Sequence, residues 1–410
     1  MSHPVTPIKS TSGFVLVAVT SVIAALLFLA GYFLEQSASE TRIAKSENSA
    51  TKSYYLSEAG ANEAIYKLKN DANWKAKFIN GTLSNETATR SNVFDNNGSY
   101  TISTASVDHG IANITVTATY NSGGQQAKRV IKTQVARATN SASVWPQSIY
   151  AGGKGKESNG NIELEHDITI NGGVLHANQN FKVKKKNTTI TVNDATITAS
   201  NDVIIDHDAN LVLNNSTTSE GAASIDAPQI DFDSSSPNSL KNRATTVYTP
   251  KQFTDLPKGT TLAGIIYVTG DVKKDDIDVT VNGILAIGGT LQMKKHKDYN
   301  ITINANYLTG SGLLAKEDIK FDENEDSAVV INGLLYASRE LQIKSTKHDA
   351  NITVNGGIVG WHVRLSGGDE HSDDGSFNIT YNPDLIAPVI DPLYNSEAPI
   401  IEVNHWEEQY

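Results

Sequence analysis

The sequence predicts an α+β N-terminal part, a long helix with an antiparallel sheet, followed by an all-β parallel β-helix solenoid. Three observations carry this. Residues 14–34 hold no Asp, Glu, Lys or Arg, and helical periodicity continues behind them to residue 68. Residues 98–137 alternate apolar and polar side chains around two turn sequences. From residue 168 onward the tetrapeptide apolar-Thr-apolar-Asn recurs.

The chain has 410 residues, no Cys, and 34 Lys+Arg against 45 Asp+Glu, a net charge of -11. That length exceeds one ordinary core, so several domains are expected. Zero Cys excludes disulfide frameworks, thiolate zinc sites, Cys nucleophiles and iron–sulfur clusters. The acidic balance argues against nucleic acid as a partner, because dense phosphate needs Lys and Arg.

Residues 1–13 form a leader with a single base, Lys9. Residues 14–34 are long enough for a transmembrane helix, about 31 Å at 1.5 Å per residue. Residues 35–75 read as the amphipathic continuation of that helix. Their apolar stripe is Ile43, Ala50, Tyr54, Ala61, Ile65 and Leu68, and the helix stops near Asn70-Asp71-Ala72-Asn73.

These residues resemble a family. A short leader ending in Gly13, then Phe14 opening a Phe-Val-Leu-Val helix, is similar to the class III signal of type IV pilins and pseudopilins. The run Tyr54-Tyr55-Leu56-Ser57-Glu58-Ala59-Gly60-Ala61 resembles the Ala-Glu-Ala-Gly segment of PilX-type minor pilins. The resemblance is close over residues 1–75 and looser over 76–138. It implies cleavage by a prepilin peptidase between Gly13 and Phe14, and methylation of the new Phe14 amine. It also implies other pilins or pseudopilins as partners of the helix. Major pilins carry a Glu at the fifth mature position, where this chain has Ala18. That departure favours a tip or initiator position. A signal-anchor helix never built into a filament is the alternative.

Residues 76–138 are read as a pilin-like β-meander, with strands Tyr100–Val107, Ile111–Tyr120 and Gln126–Val135. Asp108-His109-Gly110 and Asn121-Ser122-Gly123-Gly124 make the turns. Residues 139–147 are read as a linker.

Residues 148–382 repeat. The tetrapeptide ends at Asn171, Asn193, Asn282, Asn304, Asn355 and Asn382, with a variant at Asn332. A small residue and a further short strand follow most copies, with starts at Gly173, Ala195, Ala223, Gly264, Gly283, Gly312, Gly333 and Gly357. Such units bury an apolar face only by stacking. About eight coils are expected, with an Asn ladder and one excursion between Ala223 and Gly264. An antiparallel sandwich is the rival. Residues 383–410, with Pro383, Pro388, Pro392 and Pro399, are read as an extended tail covering the solenoid end. The ending Asn404-His405-Trp406-Glu407-Glu408 resembles the terminal Trp segment of large PilX-like surface proteins.

No Walker loop, His-Glu-x-x-His or Gly-x-Ser-x-Gly is present, so no catalytic residues are assigned. Asp206-His207-Asp208 is better explained as solvated turn than as a site. Asp369, Glu370, Asp373 and Asp374 sit in a Gly-rich loop of oxygen ligands that suits Ca2+, as does the Asp322–Asp326 run, although neither has a known calcium-loop spacing. Lys184, Lys185, Lys274, Lys294, Lys295 and Lys344 recur after the second strand of a coil. Stacking would align them as a stripe for an anionic polymer such as an acidic glycan, although nearby acids would neutralise them.

The expected function is a non-enzymatic, membrane-inserted pilin-like protein, a minor pilin or tip pseudopilin. It would leave the cell membrane for the pilus surface, most of the chain being extracytoplasmic. Its β-helix would serve adhesion, with a surface glycan as one partner class. The alternative is an anchored β-helix polysaccharide lyase or hydrolase, which needs convergent carboxylates in a cleft.

Overall fold

The computed structural model describes residues 12–138, 145–153, 160–184, 188–274, 276–293, 299–321, 327–344, 351–366, 376–391 and 400–409. It divides into two units, Met1–Arg137 with Ile401–Tyr410, and Ala138–Ile400.

The first unit opens with helix α1, Ser12–Asn70. It ends at the expected place because Asp71 takes over as a cap: its carboxylate accepts the N–H groups of Asn73 and Trp74, at 3.0 and 3.1 Å. A second helix, α2 (Ala72–Ile79), starts there and buries Trp74, Phe78 and Ile79. Part of the segment read as meander is therefore helical. The antiparallel sheet consists of β1 (Glu86–Val93), β2 (Gly98–Asp108), β3 (Ile111–Ser122) and β4 (Gln125–Ala138), in that spatial order. The C-terminal strand Ile400–Gln409 pairs beyond β4.

The α1 stripe differs from the expected one. Ile43 is 55% exposed, and the buried line is Ser49, Ser53, Leu56, Ser57, Gly60, Ala61, Ala64 and Leu68. Small residues dominate because the helix lies close to the sheet. A Cβ on Gly60 would fall 2.5 Å from Val116 Cγ1 and 3.0 Å from Tyr100. Glu63 bridges helix and sheet, accepting from Arg90 at 2.8 Å and from the Tyr100 hydroxyl at 2.7 Å. Burial pushes the Glu63 carboxyl up, but these donors outweigh it and hold it below the usual range.

The second unit is a parallel β-solenoid of about nine turns. One wall is a 15-stranded sheet and the other an 8-stranded sheet. Alternation along each strand sends one column inward, as in Ile168, Ile170, Ile190 and Val192, all within 2% of full burial. The Asn ladder is present. Asn214 donates to Asn193 and Asn193 to Asn171, each at 2.8 Å, and Asn304 donates to Asn282 at 2.7 Å.

Coil order is not chain order. Strand Gln147–Ala151 lies between Val174–Ala177 and Asn351–Gly360. From there the chain winds outward to Asn210–Asn214. A strap beginning after Ser219 then travels to the far end of the stack. There the chain resumes at Thr246–Tyr248 and Thr260–Val268 and winds back. Its final strand, Ser376–Tyr381, pairs with Asn351–Gly360 on one side and with Ile168–Asn171 on the other. One middle coil is thus assembled from both ends of the solenoid sequence, pinned where the Tyr381 hydroxyl donates to Trp145 O at 2.6 Å.

Three expectations are corrected here. Ala223 opens the strap rather than a coil, since the last coil strand before it is Thr217–Ser219. Ile379 pairs with Val354, not Ile352, so this copy of the tetrapeptide sits two residues off register while keeping its face. Residues 383–410 are not one extended tail. Pro383 occupies the first turn of a helix, Pro383–Ile390, where its missing N–H costs nothing, and the helix buries Leu385, Ile386 and Val389 on the solenoid flank.

Candidate functional site

Gly13 lies in the first turn of α1, and Phe14 is 80% exposed. Every residue from Phe14 to Asn48 is exposed, Ala18 included. This half of α1 is long and apolar enough to cross a membrane.

Among the described residues of the solenoid, a cleft of about 610 Å³ lies on the outer face of the 8-stranded wall. Asp318, Lys320, Ser338, Arg339, Glu340, Trp361 and His362 line it. Register explains the grouping. Glu340 and His362 are laterally paired, and the turns before them place Arg339 and Trp361 side by side. The Trp361 indole lies over Gly153, where a Cβ would come within 2.5 Å of the ring. Most charges in the cleft are tied together. Lys320 contacts Glu340 at 2.8 Å and Asp318 at 3.5 Å, and Arg339 contacts Glu317 and Asp318 at 3.5 and 3.6 Å. Burial pushes Lys320 down, but these carboxylates outweigh it and raise its pKa. His362 is held below its ordinary pKa by burial, against the upward pull of Glu163 and Glu340. Its Nδ1 is buried without a hydrogen-bond partner among the described residues.

The Lys stripe is partly assembled. Lys344 pairs with Ser366, Ser366 with Glu165, and Lys184 follows Val183 in the same column. The two Lys are therefore three rungs, about 14 Å, apart. Lys184 is neutralised by Glu163 at 2.8 Å. Lys274 sits one position earlier, with Asp276 at 3.6 Å. Lys185, Lys294 and Lys295 lie outside the described residues, as do Asp369, Glu370, Asp373, Asp374 and the Asp322–Asp326 run. The His207 side chain is 98% exposed beside Asp208, a solvated turn.

Sequence reasoning missed Trp361, His362 and Arg339. The available signal was positional: Trp361 occupies the turn where neighbouring coils carry Glu317 and Arg339.

Sequence reasoning also missed a buried polar cluster under the strap. The Asn178 amide donates to Gly152 O and Ile225 O, at 3.1 and 2.8 Å, and its oxygen accepts from Ile225 N at 2.9 Å. His176, 1% exposed, bonds Asn178 Oδ1 at 2.9 Å and Thr198 at 2.7 Å and stacks on Tyr150. The Tyr150 hydroxyl donates to Ile225 O, and burial pushes its pKa to about 12. Further along, the strap is held by the Tyr336 hydroxyl on Pro228 O and by Lys316 on Asp233.

No family model matches the chain. No curated protein matches it either. Among solved structures the chain is similar to the competence-associated pilin ComZ from Thermus thermophilus, at 14% identity over 88% of this chain and 98% of that one, with a TM-score of only 0.25.

Proposed function

We propose that this chain is a pilin-like subunit of a type IV pilus or related filament or secretion system. It is anchored through α1 and displays its solenoid as a non-enzymatic interaction module. The observation that supports this best is the division of α1. From Ser49 onward one face of the helix is buried on its own sheet, whereas every residue of Phe14–Asn48 is exposed. Residues 14–34 of that stretch carry no charge, and a helix that is apolar all round belongs in lipid or among other helices. A continuous helix that does both can pass from membrane to filament without refolding. Ala18 in place of the usual acid favours a tip position. The cleft with its exposed Trp361 indole is the place on the solenoid for a polar surface ligand such as a glycan.

Co-expression with a prepilin peptidase tests the anchor. The expected product begins at Phe14 and carries an N-methyl group, read by mass spectrometry. An intact Met1 terminus in the presence of active peptidase would reject the pilin reading.

A further inference from the structure

The two ends of the solenoid are built differently. At one end, helix Pro250–Thr254 covers the core: Phe253 is 3% exposed and packs against Tyr248, with ring centroids 6.3 Å apart. At the other end, strands Val203–Ile205 and Asn210–Asn214 are the last of their sheets among the described residues. Inward columns surface there. Ile205 is 45% and Leu213 38% exposed, whereas Val183 and Val192, one coil below in the same columns, are 0% exposed. Ile204 and Val212 add 39% and 38%.

The backbone is open as well. Asn210 N donates back to Thr188 O, and Asn214 O accepts from Asp194 N. Parallel-ladder alternation therefore aims the N–H and C=O of Leu211 and Leu213 away from the stack. The neighbouring edge is partly blocked, since Glu220 accepts from Val203 N at 2.9 Å. Asn210–Asn214 is thus the longest free edge at this end among the described residues, Thr217–Ser219 being only three residues long, and uncapped solenoid ends and bare edges invite pairing.

Charge selects the occupant. Residues 188–240 contain no Lys or Arg, while Asp194, Asp202, Asp206, Asp208 and Glu220 fall in the last two coils and just after them. A second copy docking edge to edge would set these acids against themselves, which disfavours pairing. We propose that this end docks an extended basic strand of a partner protein, with apolar residues facing Ile205 and Leu213 and Lys or Arg facing the acids.

The test uses the full chain in detergent micelles and a short labelled peptide alternating Val and Lys, read by fluorescence anisotropy. Binding is expected to be about tenfold or more tighter than for the Val/Glu peptide. Leu213→Pro removes the outward N–H, and Leu213→Ala shortens the same side chain while keeping that N–H, so binding to folded Leu213→Pro should be about tenfold weaker than to Leu213→Ala. The same peptide N-methylated on its pairing amides should also fail, which tests strand addition without altering the protein. Equal binding of the Val/Glu or N-methylated peptide, or of the Val/Lys peptide by folded Leu213→Pro and Leu213→Ala, would overturn the proposal. So would failure to bind any peptide, or self-association abolished by Leu213→Pro.

Discussion

Gly356→Ala is expected to destabilise the solenoid by about 3–5 kcal/mol, read as a shift in the chemical-denaturation midpoint. Gly356 has φ 155°, and a Cβ there would lie 1.9 Å from Gly333 O. Gly333 stands in the same relation to Ser311 O, at 2.0 Å. Successive coils come this close where each strand bends from the Thr-rich arm to the apolar arm. The backbone cannot retreat, because Asn351–Gly360 is bonded to coils on both sides. Gly221→Ala is the control. Gly221 also has positive φ, at 68°, but has nothing within 4 Å of its added methyl. Its cost should stay near 1–2 kcal/mol, the backbone penalty alone. Equal losses in the two variants would refute the close-approach account.

Asn178→Ala should cost about 3–5 kcal/mol, because it strands several buried groups at once: Ile225 N, Gly152 O and His176 Nε2. The strap spans the stack, so its release exposes the outward column of Tyr150, Tyr336 and Tyr267. Loss of tyrosine fluorescence polarisation at a lower denaturant concentration would report it. The same cluster makes the fold acid-sensitive. Burial holds His176 below its ordinary pKa, and His362 likewise. The unfolded chain therefore takes up these protons first as pH falls. Stability is complete above about pH 6.5 and is lost progressively below it. Denaturation midpoints at pH 7.5 and 5.5 check this. A flat profile across that interval would contradict the role given to the two imidazoles.

Much of the architecture was legible because side-chain period determines strand face. The Asn-ended tetrapeptide placed the repeating strands and the Asn ladder. Coil order was not legible. Each coil carries nearly the same local pattern, and parallel stacking gives no local signal of which edge receives the next strand. The two-residue slip at Ile379 went unseen for the same reason, since a shift of two keeps every side chain on its face. Strand β1, Glu-Thr-Ala-Thr-Arg-Ser-Asn-Val93, was missed because it is mostly exposed and lacks apolar alternation. The α1 stripe was misplaced because hydrophobicity points to Ile43, whereas close packing selects Ser49, Ser53 and Gly60. The Trp361 cleft needed the register, which brings Arg339 and Glu340 of one coil beside Trp361 and His362 of the next.

The central claim is that Phe14–Asn48 packs among the helices of other pilins. The direct measurement is affinity capture of the processed full chain from solubilised membranes of cells that build the filament, followed by mass spectrometry of what is retained. Pilins or pseudopilins are expected in the eluate, and should be lost when Ala18 and Val22, on one face of the exposed helix, are replaced by lysine. Capture of the intact chain with no pilin would contradict the account, leaving α1 as a membrane anchor alone.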